Sequence, residues 1–381
     1  MHSLLPTYGQ RHIEIEQASG SYVTDTAGKR YLDFVMGIAV CGTGHRHPHV
    51  SQTLEAQLQK VWHTSNLYNI SGQARVAETL MSGTHLTHAF FCNSGTEANE
   101  GAFKLIRKWT NKTKIVTFTK SFHGRSFAML GATGQDKVKA GFGPMVADFV
   151  HAPFNDMDAL NMIDDETAAV WLEIVQGEGG VVVADAAWLE ALQAKATEHG
   201  VKIVVDEVQT GIARTGTRFA FEQTPLKPDV VTLAKGLGSG FPVGAILTAA
   251  GAEHVFTAGS HGSTFGGNPL AMAAAEATLD ILFEADALAH VNAMGARLRA
   301  GLEQFVDGET FTEVRGLGLM LGLVATQSVA AWIEQLRDAG LLVVAAGPDV
   351  IRFLPSLLLT EAEVDEALAI IGHVITKEMV S

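Results

Sequence analysis

Two cysteines, Cys41 and Cys92, are all that 381 residues contain. That is too few for a disulfide framework and wrongly spaced for zinc, so a reducing compartment is expected. Basic residues are in deficit, 27 against 41 acidic, and the net charge of −14 disfavours nucleic acid and anionic membranes as partners. Anionic small molecules stay open, because local arginines decide that. No run reaches the roughly 18 uninterrupted apolar residues of a membrane span. The N-terminal stretch MHSLLPTYGQRHIEIEQ has no basic and apolar signal pattern and no Arg-rich, acid-poor transit pattern, so a cytoplasmic location is expected. Internal repeats and low-complexity linkers are missing too. With 47% hydrophobic and 18% charged residues, what remains is a globular chain long enough for one large or two ordinary domains.

Against that background two short β-branched runs stand out, Val201–Val205 and Val230–Leu233, each reading as a buried parallel strand. Asp206 follows the first and Lys235 lies just past the second. Ligands of open α/β sheets bind outside the carboxyl ends of the strands, so a carboxylate and an amine are expected in one crevice. A desolvated lysine has a lowered pKa and forms Schiff bases with aldehydes. Pyridoxal phosphate needs such a lysine and an acid partner for its ring nitrogen. For an isolated Asp and Lys, an ordinary salt bridge at strand ends is the better account, and only the rest of the chain overturns it.

Taken in order, residues 12–35 read as a meander of antiparallel strands with a turn at Thr26–Lys29. His45, His47 and His49 crowd the next loop, but with no nearby carboxylate or cysteine to complete a site no metal is expected. Helices are expected from Pro48 to Trp62 and over 72–86, followed by a strand at 89–92. The strand then passes through Ser-Gly-Thr into a helix, a ready anion site in which Gly95 allows close backbone approach and Thr96 adds a hydroxyl. A plain capped helix with Thr96 as N-cap is the alternative. After the strand IVTFT, Phe122 could lie on a planar ring and Arg125 could clamp a carboxylate; a core phenylalanine and a surface arginine are the alternatives. Residues 168–175 read as another strand, with Glu178 between glycines beyond its end, and the next helix as closing at Gly200. GLGSGFPVG opens a strand and not a helix, which excludes a nucleotide loop. Ser263 and Thr264 lie in a polar loop before a helix that starts near Asn268. Helices are also read over 284–305 and 328–339. Arg352 interrupts the apolar run VIRFL, which suggests pairing or a cleft. Thr360 and Glu363 form a capping box for a last helix at about 361–378.

NSGTEAN, SFHGR, QGEGG, DEVQTG, AKGLGSGFPVGA and HGSTFGGNPLA, in this order, resemble the class III pyridoxal phosphate-dependent aminotransferases of the ornithine and acetylornithine type, over about Tyr22 to Pro355. The resemblance implies an α/β, fold-type I transferase. Its large cofactor-binding domain, residues 50–287, has a mostly parallel central sheet, and residues 1–49 and 288–381 form a smaller α+β domain. It implies that Lys235 carries pyridoxal phosphate and moves the proton, that Asp206 pairs with the ring nitrogen, and that Gln209 contacts the ring oxygen. Gly95 and Thr96 would bind phosphate and Phe122 would stack on the ring. Thr264 would reach the partner's cofactor in a homodimer. Arg125, with Ser263 nearby, would bind the substrate carboxylate, and Glu178 and Arg352 would form a switchable pair. Within that family the LLPTYG and HTSNLY stretches most resemble the acetylornithine type, which implies transfer of the δ-amino group of N2-acetyl-L-ornithine to 2-oxoglutarate, in arginine biosynthesis. Ornithine, succinylornithine, 4-aminobutyrate or a lysine-biosynthesis intermediate are the alternative donors. Ser239 stands where the family pattern has glycine, a small-for-small change expected to matter little.

Overall fold

The computed structural model describes residues 3–9 and 12–380; Met1, His2, Gln10, Arg11 and Ser381, which fall in the two segments expected to form the smaller domain, lie outside the described residues. The β-branched runs of the middle third assemble a seven-stranded sheet. Its spatial order is Leu86–Cys92, Gly244–Ala249, Val230–Leu233, Lys202–Asp206, Thr167–Leu172, Lys114–Phe118 and Phe149–Ala152. Every pairing is parallel except the two made by Gly244–Ala249, which runs against both its neighbours. The central strands are buried on both faces, which is why they read as continuous apolar runs without alternation.

Helices cover those faces. Gly95–Thr110 buries Ala98, Ala102, Leu105 and Ile106, spaced three and four apart along one stripe. Ala186–His199 does the same with Trp188, Leu189, Leu192 and Ala196, and ends at Gly200 in the left-handed conformation, φ +62°.

The N-terminal strands meet a strand from the last quarter of the chain. Strands Ile15–Ser19, Tyr22–Asp25 and Arg30–Asp33 form the expected meander, and Leu341–Leu342 adds to it in parallel beside Arg30–Asp33. Asp25 fixes the turn by accepting the amides of Ala27 and Lys29 at 3.0 and 2.8 Å. A separate antiparallel sheet holds Phe311–Leu317, Met320–Ala325, Val350–Phe353 and Val344–Ala345. The last helix, Glu361–Val380, opens with the capping box: Thr360 N–H donates to Glu363 Oε2 at 2.6 Å and Glu363 N–H to Thr360 Oγ1 at 3.3 Å.

Several boundaries differ from the sequence reading. The helix from Pro48 stops at Leu58, with Trp62 exposed and its indole N–H bonded to Leu58 O. The helix read over 72–86 is Ser71–Met81, because Gly83 at φ +71° turns the chain into a strand that starts at Leu86. The run 168–175 is not one strand. The central strand ends at Leu172, and Val175–Gln176 pairs instead with Val182–Val183.

Candidate active site

A cavity of about 410 Å³ opens at the carboxyl ends of the central strands. Asp206, the last residue of its strand, is 3% exposed, and its carboxylate is held from three sides. Oδ1 accepts Val208 N–H at 3.0 Å, and Oδ2 accepts the Asn99 amide and His123 Nδ1, both at 2.8 Å. Asn99 also donates to His123 O at 2.7 Å, which locks the imidazole beside the carboxylate.

Lys235 enters no ion pair among the described residues, and Asp206 is paired with His123, so the salt-bridge alternative is excluded. Burial pushes the Lys235 amine down to about 8, and Arg352 pushes the same way, against the nearby carboxylates of Glu178, Asp206 and Glu173. The residue sits at φ +35°, a strained conformation for a side chain, costing ~1–3 kcal/mol of the kind held at functional sites.

Gly95 and Thr96 also line the cavity, at the start of the helix Gly95–Thr110. The N-cap is Ser94, whose hydroxyl accepts Glu97 N–H at 3.3 Å, and not Thr96. Thr96 lies inside the first turn and donates to Ser126 Oγ at 2.7 Å. A side chain at Gly95 would bring its Cβ to 2.7 Å from Val208 Cγ1, and one at Gly124 would meet Thr96 Oγ1. The cradle therefore demands glycine at both places. First-turn amides without helical partners, a hydroxyl, an aromatic ring, a fixed buried carboxylate and a neutralisable lysine fit the phosphate, ring and aldehyde of pyridoxal phosphate.

Phe122 and Arg125 line the same cavity, Arg125 exposed with its guanidinium 5.8 Å from the Phe122 ring centre. Arg352 is fully buried, as its place in an apolar strand demands a partner. It donates to Glu178 Oε1 at 2.6 Å, to Gln209 Oε1 at 2.9 Å and to Gly177 O at 2.9 Å. Burial raises the Glu178 carboxyl, but Arg352 first, then Lys235 and Gln209, outweigh that and hold it below the ordinary range. Ser263 and Thr264 stand outside this cavity: Ser263 Oγ accepts from Asn93 at 3.1 Å, and Thr264 is exposed.

A sequence profile described as aminotransferase class-III matches residues 5–375. The chain belongs to the class III aminotransferase family. Acetylornithine aminotransferase of Bacillus subtilis (strain 168) is 50% identical over 371 residues, 97% of this chain and 96% of that one. The crystal structure of N-acetylornithine aminotransferase from Stenotrophomonas maltophilia K279a superposes with TM-score 0.85 at 38% identity, covering 97% of each chain. Ornithine aminotransferase from Toxoplasma gondii, which has partial occupancy of pyridoxal phosphate at its active site, gives TM-score 0.94 at 28% identity over 99% of this chain and 93% of that one. The class III fold is thus the fold-type I α/β transferase expected, and the enzyme is a pyridoxal phosphate-dependent transaminase.

Three groups of this aminotransferase site were not assigned from sequence. His123 carried no role, Asn99 passed as part of a helix start, and Glu173 passed as a strand residue. Glu173 did carry a signal, the same one as Arg352: a charge inside an apolar run, WLEIV. Asp33, twelve residues upstream, pairs with His45 at 2.8 Å and so gives the histidine loop the carboxylate neighbour that sequence reading missed. No metal-holding cluster occurs among the described residues. Ser239 sits at φ +43°, so its replacement of glycine is strained; its hydroxyl answers by accepting Thr43 N–H at 3.0 Å and meeting Thr43 Oγ1 at 2.7 Å.

The lowered Lys235 pKa makes a stability prediction for the cofactor-free protein. The fold disfavours the protonated amine, so its cost is fully present below pH 8 and disappears as pH rises from about 8 towards 10.5. Lys235→Met should therefore be more stable than the parent at pH 7, by on the order of 3 kcal/mol, and the gap should narrow at high pH. Urea titrations at several pH values check this; a parent at least as stable at pH 7 contradicts it.

Proposed function

We propose that the protein catalyses reversible transfer of the δ-amino group of N2-acetyl-L-ornithine to 2-oxoglutarate, giving N-acetyl-L-glutamate 5-semialdehyde and L-glutamate. The observation that carries this is the closed Glu178–Arg352 pair at 2.6 Å, beside the buried Lys235. It is supported by relatives named acetylornithine aminotransferase that are 47% and 50% identical over essentially the full chain.

The bound cofactor supplies an aldehyde for amine exchange and a ring that accepts electrons. Lys235 holds it covalently, then moves the proton at the reacting carbon, a task suited to an amine with pKa about 8. Asp206, fixed by three hydrogen bonds, keeps a negative charge for the ring nitrogen. Gly95 and Thr96 take the phosphate, Phe122 the ring face and Gln209 the ring oxygen. Arg125 takes a substrate carboxylate, with Ser263 nearby.

The two substrates make opposite demands. Acetylornithine reacts at an end far from its carboxylate, whereas 2-oxoglutarate reacts beside one. With Glu178 closed on it, Arg352 is neutralised and draws no carboxylate to the reacting end. With Glu178 swung away, Arg352 takes the α-carboxylate and Arg125 the γ-carboxylate.

The division at residues 50–287 against both chain ends belongs to the same reading, as does a homodimer. Asn66 donates to Ser263 O and Gly266 O at 3.2 and 3.0 Å, joining two loops that display Leu67, Tyr68 and Phe265 around Thr264. Such apolar exposure beside the site suits a second copy whose cofactor Thr264 reaches. No helix among the described residues is long and apolar enough to cross a membrane; the cytoplasm is the proposed location.

Single-turnover mixing with one amino donor at a time, without 2-oxoglutarate, tests the substrate. The visible cofactor band should vanish rapidly with acetylornithine and far more slowly with ornithine, succinylornithine or 4-aminobutyrate. Equal rates with ornithine or succinylornithine would discard the narrow assignment, and a stable band with all donors would discard the class. For the gate, Glu178→Ala leaves Arg352 uncompensated, a change that typically costs about 3–5 kcal/mol. The ratio of 2-oxoglutarate to acetylornithine reactivity should shift by at least tenfold; an unchanged ratio refutes the gate.

A further inference from the structure

Glu173 lines the same cavity as Lys235 and Asp206, is 5% exposed, and has no task in the reading above. It lies where the central strand Thr167–Leu172 ends. Its Oε2 accepts Phe122 N–H at 3.0 Å and its Oε1 accepts Gly177 N–H at 3.2 Å. Those amides belong to different walls. Phe122 is the aromatic one. Gly177 precedes Glu178, its carbonyl accepts from Arg352 at 2.9 Å, and any side chain there would collide with the Gln209 amide, Cβ to Oε1 2.5 Å. One carboxylate therefore spans the ring-face wall and the acid–arginine gate.

We infer that Glu173 is a positioning residue of the transaminase site, which fixes the Phe122 wall and the Gly177–Glu178 turn against each other and so sets how readily the gate opens for the second substrate. The inference rests on the transaminase reading. Both oxygens of an ionised carboxylate accept, so both amides are served; an amide or a protonated acid offers one unhindered acceptor. Glu173→Gln thus mimics the protonated state at nearly constant volume. The titratable groups facing Glu173 come from three other segments: His123 after the strand Lys114–Phe118, Asp206 at the end of Lys202–Asp206, and Lys235 after Val230–Leu233. Burial pushes the Glu173 carboxyl up to about 7; His123 opposes the rise, Asp206 adds to it, and the two amides oppose it. The tie between the walls is therefore complete when Glu173 is ionised, and one of its two bonds is lost as pH falls through about 7.

The first test needs neither cofactor nor turnover. In the cofactor-free enzyme, amide NMR signals of Phe122 and Gly177 should titrate together near pH 7, and both titrations should be missing in Glu173→Gln. Flat signals in the parent overturn the proposal. The second test separates half-reactions. Glu173→Gln should slow the 2-oxoglutarate half-reaction about tenfold more than the amino-donor half-reaction, the size of one lost hydrogen bond. It should also remove an ionisation near pH 7 from kcat/KM for 2-oxoglutarate. A merely structural residue would slow both halves alike and leave the pH profile unmoved, and that result overturns the proposal. Glu173→Asp, which keeps the charge, should retain the ionisation; its loss there counts against the proposal. If the parent rejects acetylornithine but accepts another donor, the substrate assignment fails while both tests of Glu173 stay readable.

Discussion

The site depends on one buried anion. A carboxylate out of water is costly unless its lone pairs are satisfied, and the Asp206 carboxylate is satisfied by Asn99, His123 and the Val208 amide. Each donor comes from a different place: the helix Gly95–Thr110, the loop after the strand Lys114–Phe118, and the turn that follows Asp206 itself. Meeting this requirement fixes the helix to the sheet and the aromatic loop to both. Among the described residues Lys235 is left without an ion pair, and burial lowers its pKa against the nearby carboxylates.

Three ionisable groups in and beside one cavity are thereby pushed apart. Burial lowers Lys235 to about 8 and raises Glu173 to about 7, while Arg352 draws Glu178 below the ordinary range against its own burial. Environments that separate the pKa values of neighbouring groups are how one cavity assigns different proton roles at one pH. Glu207 shows the contrast. It is buried and raised to about 7 as well, yet its partners are the Thr210 hydroxyl and the Phe221 N–H, at 2.6 and 2.8 Å, in the surrounding fold.

Much of this was legible in the chain. Asp206 and Lys235 were visible because a charge at the end of a β-branched run has no reason in local structure. Arg352 was visible because a charge inside such a run needs a partner, and Glu178 proved to be it. What escaped obeys tertiary demands. Ser94 and Thr96 are both good caps, and only backbone geometry selects Ser94. The Glu173 carboxylate serves the amides of Phe122 and Gly177, one of them 51 residues away. The strain at Ser239 and its relief by Thr43 join positions 196 residues apart. Local propensity sets elements, but it carries no information about which buried polar group a distant amide must serve.

The most direct measurement is amino-group transfer by Asp206→Asn, alongside its cofactor content. Asparagine nearly preserves shape and keeps an acceptor, but removes the charge that the surrounding donors stabilise. The account predicts that the cofactor remains bound through Lys235 while transfer falls at least about a hundredfold, a barrier increase of about 3 kcal/mol. Transfer within a few-fold of the parent, with full cofactor content, would contradict it, because the buried anion would then serve the fold and not the chemistry.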